Sequence, residues 1–315
     1  MHNVDFHCSN FSSIPTGKHI IQIDWVDLVW AAISYGKRNA SQLIAYQWHS
    51  LAELVVKTHS VYAFLRSGPT GFEKSDLYSN LDATEKGAAS YFLGMTMCKI
   101  FADQKLNTPW LFHVSLATSN GASILFNKVS KERPDLIGLT MGNDWIVAEA
   151  KGRSKQFSTK ALQKAKKQST MVLSVNGISP IHRFGIQSCF DPQLMAHVED
   201  PPIAREAYPI ELDLREALAH YYSISSALSR YGEEKQISGI EYLVVNDPRS
   251  GLSVGLPKHI VKEITSPEVS QQGVTLKTHR ISEQEKIYSD GFYVRLDDRW
   301  AQKNMRQQPR QRGDG

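Results

Sequence analysis

Apolar positions recur at helical spacing in two early stretches of the chain. A helix capped by Asp24 is predicted to run through about Tyr35. A longer one is predicted over residues 40–66, where Leu43, Ile44, Trp48, Leu51, Leu54 and Val55 form one stripe. Gly68-Pro69 then stops it. Residues 1–19 are polar and are expected to be irregular, so residues 1–80 read as a helical N-terminal region.

The pattern changes over residues 81–190. Asp82 opens a predicted helix that continues through about Lys105. Three strand-like runs follow, Trp110–Ala117, Asp135–Thr140 and Trp145–Ala150, and Gly142-Asn143-Asp144 supplies a tight turn between the last two. A basic helix is predicted at about 158–172 and a further strand at His182–Ser188. The order α-β-β-β-α-β predicts a mixed sheet flanked by helices, an α/β (α+β) fold.

Pro192, Pro201, Pro202 and Pro209 mark a linker. Beyond it, residues 191–298 read as a mixed region, with a helix over 211–231 and short strands that include Ile240–Val245 and Phe292–Leu296. Residues 299–315 carry Arg299, Lys303, Arg306, Arg310 and Arg312 against one acid and are expected to be a disordered basic tail.

Composition narrows the class. The 315 residues are 41% hydrophobic and 22% charged, which excludes disordered, collagen-like and coiled-coil proteins. Cys8, Cys98 and Cys189 form no CxxC pair, so neither a disulfide framework nor a thiolate zinc site is expected. The segment MHNVDFHCSNFSS has no basic head and apolar stretch, and no apolar run reaches the roughly 18 residues of a membrane span. A soluble, cytoplasmic protein with no membrane partner is expected. The eleven histidines show no HExxH or zinc-finger spacing, and there is no GxSxG, GxxxxGK[ST] or strand-borne GxGxxG. Serine-hydrolase, NTPase and dinucleotide readings therefore lack a sequence signature, and His113 and His182 read as packed or hydrogen-bonded strand residues.

The richest chemistry lies in Arg133-Pro134-Asp135 and Glu149-Ala150-Lys151. Side chains alternate across a strand, so Glu149 and Lys151 share a face, and the hairpin brings Asp135 beside Glu149. Two carboxylates suit Mg²⁺, a hard cation that takes oxygen ligands, and a nearby ammonium offsets developing charge. Acid-x-Lys occurs three times, but Asp103-Gln-Lys105 falls at a helix end and Glu233-Glu-Lys235 in a polar turn. Only Glu149-Ala-Lys151 ends an apolar strand with a Pro-Asp strand upstream.

Pro134-Asp135, Glu149-Ala150-Lys151 and the element order together resemble the PD-(D/E)XK, restriction-endonuclease-like nuclease superfamily. The resemblance covers about a third of the chain. It implies an endonuclease that hydrolyses phosphodiester bonds of DNA with Mg²⁺ or Mn²⁺, with Asp135 and Glu149 as metal ligands and Lys151 as the catalytic cation. It also offers Glu85 as an extra ligand, although Asp82 and Glu85 equally fit a capping box. Some branches place a glutamine near the metal, which singles out Gln168, but the tyrosine that often follows four residues later is missing. By analogy the resemblance suggests prokaryotic restriction or anti-phage defence.

Net charge is only +4, yet residues 151–168 hold seven cations and no acid. Arg153, Lys155, Lys160, Lys164 and Lys167 are the expected contacts for a phosphate backbone, with double-stranded DNA as the expected partner. Two-strand cutting suggests a homodimer, and partner subunits are a further expectation. An RNA-cleaving enzyme of the same fold and a non-catalytic nucleic-acid-binding subunit are the alternative readings.

Overall fold

The computed structural model describes residues 1–36, 47–119, 122–123, 133–204, 207–265 and 276–300. Helix α1 (Trp25–Ser34) begins at Asp24, whose backbone N–H donates to Asp27 Oδ2 at 2.8 Å. Helix α2 spans Gln47–Phe64 and the short α3 spans Asp76–Asn80. Helix α4 (Ala83–Leu106) starts at Asp82, whose carboxylate accepts from the amides of Thr84 and Glu85 at 2.7 and 2.9 Å. Helix α5 is Thr159–Ser169. At α3, α4 and α5 the side chains of Ser75, Asp82 and Ser158 satisfy orphan amides.

Seven strands make the central sheet: β1 (His2–Ser9), β2 (Gly17–Ile23), β3 (Trp110–His113), β4 (Leu136–Leu139), β5 (Trp145–Gly152), β6 (His182–Phe190) and β7 (Leu194–Glu199). Their spatial order is β2-β1-β7-β6-β5-β4-β3. Strands β3, β4 and β5 run antiparallel as a meander. Helix α5 then crosses over to β6, which lies parallel to β5. Within this mixed α/β fold the central sheet keeps the order α4-β3-β4-β5-α5-β6, but the short strands Ala117–Ser119, Ala122–Ser123 and Val172–Val175, which pair in a separate sheet, interrupt the α-β-β-β-α-β succession expected over residues 81–190.

Residues 1–19 are not irregular. Val4, Phe6 and Cys8 point into the core while Asp5, His7 and Ser9 occupy the other face, so β1 carries a period of two. The expectation of an all-helical N-terminal region fails with it. Strand β1 runs parallel to β7, which itself lies within the stretch read as a linker. One sheet thus crosses the expected boundaries at 80/81 and 190/191, and one hydrophobic core joins Val4 to Trp300.

The C-terminal region follows the expectation of mixed structure. Helices α6 (Leu214–Tyr221) and α7 (Ser225–Tyr231) replace one predicted helix, and α8 spans Lys258–Thr265. A six-stranded antiparallel sheet includes Ile240–Asp247, Leu252–Pro257 and Tyr293–Leu296. Of the expected tail, Arg299 and Trp300 sit in a helical turn, and buried Trp300 donates to the Ser250 carbonyl at 2.9 Å. The remainder, 301–315, lies outside the described residues.

A buried polar knot ties this region to α1 and α4. Asp290 accepts from Trp30 Nε1 at 3.0 Å and from the Tyr221 hydroxyl at 2.6 Å, and Lys99 Nζ lies 3.6 Å from it. Burial pulls the Lys99 ammonium below its ordinary pKa, and Asp290 opposes that pull. The Lys99 ammonium also lies 4.4 Å from the Trp30 ring centre, a favourable cation–π distance.

Helix α4 reaches the end of β5 through glycine. A Cβ on Gly152 would lie 1.6 Å from the Ser90 carbonyl oxygen, and one on Gly94 would lie 2.9 Å from the Gly152 amide nitrogen. Gly87, on the same helix, faces open space. We therefore expect Gly152→Ala to lose about 2 kcal/mol or more in urea denaturation. Gly87→Ala should gain up to about 1 kcal/mol. Equal tolerance of both changes would contradict this packing.

Candidate metal and phosphodiester site

The β4–β5 hairpin builds the site. Its turn closes through Thr140 N–H to the Asp144 carbonyl at 2.9 Å, and Asn143 adopts φ 62°, the left-handed conformation asparagine tolerates. The register pairs Leu136 with Ala148, so one further step places Asp135 opposite Glu149. Asp135 Oδ2 accepts the Ala150 N–H at 3.2 Å, while its carbonyl accepts from Val114 N–H at 3.0 Å. Lys151 Nζ forms a direct ion pair with Glu149 Oε1. The three residues read from the sequence as a catalytic set therefore meet.

The electrostatics are lopsided. Glu149 is fully buried, Asp135 is half-buried, and 27% of the Lys151 side chain is exposed. No hydrogen-bond donor among the described residues reaches Glu149 Oε2. Burial, and then the Asp135 carboxylate, push the Glu149 carboxyl up to about 8, against the opposing pull of Lys151. A buried oxygen without a donor beside a second carboxylate is short of positive charge. A hard divalent cation would supply it, and Mg²⁺ commonly takes only one or two carboxylates beside waters and phosphate oxygens. The donor set of Asp135 and Glu149 fits that demand. Among the described residues no group of three or more His, Cys, Asp or Glu side chains gathers as a metal cage.

Glu85 is not brought to this pair. It is exposed, and its Oε2 accepts the Asp82 N–H at 3.2 Å, completing the capping box. Helix α4 meets Gly152 at Ser90 and Gly94, about 8 and 14 Å of helical rise beyond Glu85. Gln168 does lie near the motif. Its Nε2 donates to the Arg133 carbonyl at 3.0 Å, just before Pro134-Asp135, and its Oε1 is buried without a partner among the described residues.

Helix α5 packs over the face that carries Glu149. A Cβ on Gly185 would lie 2.7 Å from the Lys166 amide nitrogen, so glycine permits this close approach. Leu162, Ala165 and Ser169 are buried, whereas Lys160, Lys164 and Lys167 follow i, i+4, i+7 spacing on the exposed side. Lys155 is exposed, and half-exposed Arg153 donates through Nε to the Gln156 carbonyl at 3.2 Å. Lys166 is set apart by an ion pair with Glu199.

Sequence reasoning missed Gln187. It is the in-register neighbour of Lys151 on β6 and is fully buried. Its Oε1 accepts from Ser158 N–H at 2.7 Å and its Nε2 donates to the Ser158 carbonyl at 2.8 Å, which anchors the start of α5 beside the lysine. Its signal is a polar residue inside an apolar strand, but the partner lies 29 positions away.

The Glu149 shift has a defined sign in protein kept free of divalent ions. The folded-state value, about 8, exceeds the ordinary value of 4.5, so the stabilisation from the neutral acid is complete below pH 4.5. It is lost as pH rises through about 8. Glu149→Gln abolishes this titration, so its melting temperature relative to wild type should climb between pH 5 and pH 9 in EDTA; a flat difference would refute the burial argument. No family model, curated protein or solved structure matches the chain.

Proposed function

We propose that the chain is a divalent-metal-dependent nuclease that hydrolyses phosphodiester bonds, with DNA as its substrate. The observation that carries this reading is the meeting of Asp135, Glu149 and Lys151 around a buried carboxylate oxygen that lacks a donor. Asp135 and Glu149 would hold the ion. Bound there, Mg²⁺ or Mn²⁺ would neutralise phosphate charge and make water more acidic.

The chain's own groups have separable tasks. Glu149 presents one oxygen to Lys151 and leaves the other facing the ion-binding side. Lys151, partly exposed, can donate to an attacking water or a nonbridging phosphate oxygen. Asp135 is held in place through both its carboxylate and its main chain. Gln168 holds the Arg133 carbonyl and so fixes the approach to Asp135. The Lys160, Lys164 and Lys167 ridge offers backbone-directed contacts without sequence preference.

The test is cleavage of plasmid DNA, single-stranded DNA and tRNA in Mg²⁺. Glu149→Ala should lower the rate by on the order of 10²-fold or more, with an unchanged far-ultraviolet spectrum. Undiminished cutting by that variant would end the proposal. Preferential tRNA cleavage would move the substrate to RNA, and salt-sensitive binding without cutting in Mg²⁺ or Mn²⁺ would favour a binding subunit.

A further inference from the structure

We propose that Ser13, His182 and Asp200 form a second, acyl-transfer site that takes short carboxylic esters. Ser13 lies on the exposed loop between β1 and β2, and its Oγ is 2.9 Å from His182 Nε2. His182 Nδ1 lies 2.5 Å from Asp200 Oδ2. The other Asp200 oxygen accepts the Arg183 N–H at 2.9 Å, which fixes the carboxylate. This is the order of contacts that activates a serine: hydroxyl to ring nitrogen, opposite ring nitrogen to carboxylate.

The Asp200 contact orients the ring. An ionised carboxylate can only accept, so Nδ1 carries a proton, and in the neutral ring Nε2 is the acceptor for the Ser13 hydroxyl. The imidazole is nearly enclosed, with the Phe11 ring centre 5.3 Å away, while Ser13 itself faces solvent. An exposed loop rather than a deep cleft favours small acyl groups.

The chemistry balances without a cofactor. Ser13 Oγ bonds to the ester carbonyl carbon and its proton passes to His182 Nε2. The carbon–oxygen bond to the alcohol then breaks, and the imidazolium returns that proton to the departing oxygen. Water, giving its proton to the same nitrogen, releases the acid and regenerates Ser13. Asp200 is a positioning residue that holds the ring. His182 pairs in register with Ile146, nearer the start of β5 and on the opposite sheet face from Glu149.

The full chain, treated with a fluorophosphonate, tests this directly. The probe loses fluoride as its phosphorus bonds to an activated serine, and peptide mass spectrometry locates the adduct. Ser12 is an exposed neighbour on the same loop with no histidine hydrogen bond among the described residues, so it serves as the internal reference. Ser13 should be modified at least about 100-fold faster than Ser12, and Asp200→Asn should erase that preference by releasing the tautomer. Ser13→Ala should abolish the adduct and any p-nitrophenyl acetate hydrolysis. Modification of Ser13 no faster than Ser12 in wild type would overturn the proposal and leave the three residues as a loop clamp.

Discussion

A carboxylate placed where water cannot reach it dominates the centre of this molecule. Glu149 sits in the middle of a seven-stranded sheet, flanked by a second acid and served by one ammonium. Desolvating a carboxylate is costly unless charge or donors compensate it; here Lys151 pairs with one oxygen, and no donor among the described residues reaches the other. The surrounding structure enforces the arrangement. The hairpin register sets Asp135 across from Glu149, and Gly94 and Gly152 let α4 press on the strand end from behind. Gln187 pins the start of α5 in front. A divalent cation held there, as proposed, would relieve this unfavourable burial.

Legibility in the sequence followed the range of the interactions. Asp24 and Asp82 act within three residues of themselves, so their helix starts were readable. Gly142-Asn143-Asp144 turned as its residue types demand, and with it came the convergence of Asp135, Glu149 and Lys151. Glu85 had two readings of similar local merit, and the cap took it because Asp82 is three residues away. Strand β1 was hidden because outward Asp5 and His7 dilute its apolar content, and its parallel partner β7 lies nearly 190 positions downstream. The Asp290–Lys99–Trp30 knot has the same character: its members are ordinary residues until the fold assembles them.

Ser13, His182 and Asp200 illustrate the limit of motif reading. His182 was expected to be packed or hydrogen-bonded, and it is hydrogen-bonded through both ring nitrogens. No GxSxG elbow announces Ser13, because such an elbow marks one fold's way of presenting a serine, whereas the contacts themselves are independent of spacing. The two sites use opposite faces of the same sheet. Ile146 and Glu149 are separated by about 10 Å along β5, so substitutions at one leave the geometry of the other in place.

The claim on which the nuclease account rests is that Asp135 and Glu149 share one divalent ion. Calorimetric titration of the metal-free chain with Mn²⁺ at pH 7 addresses it without any substrate. The account requires one strong site per chain, with protons released on binding because the ion displaces the proton that burial holds on Glu149. That site must disappear in both Asp135→Asn and Glu149→Gln. Unaltered Mn²⁺ binding in either variant would contradict it.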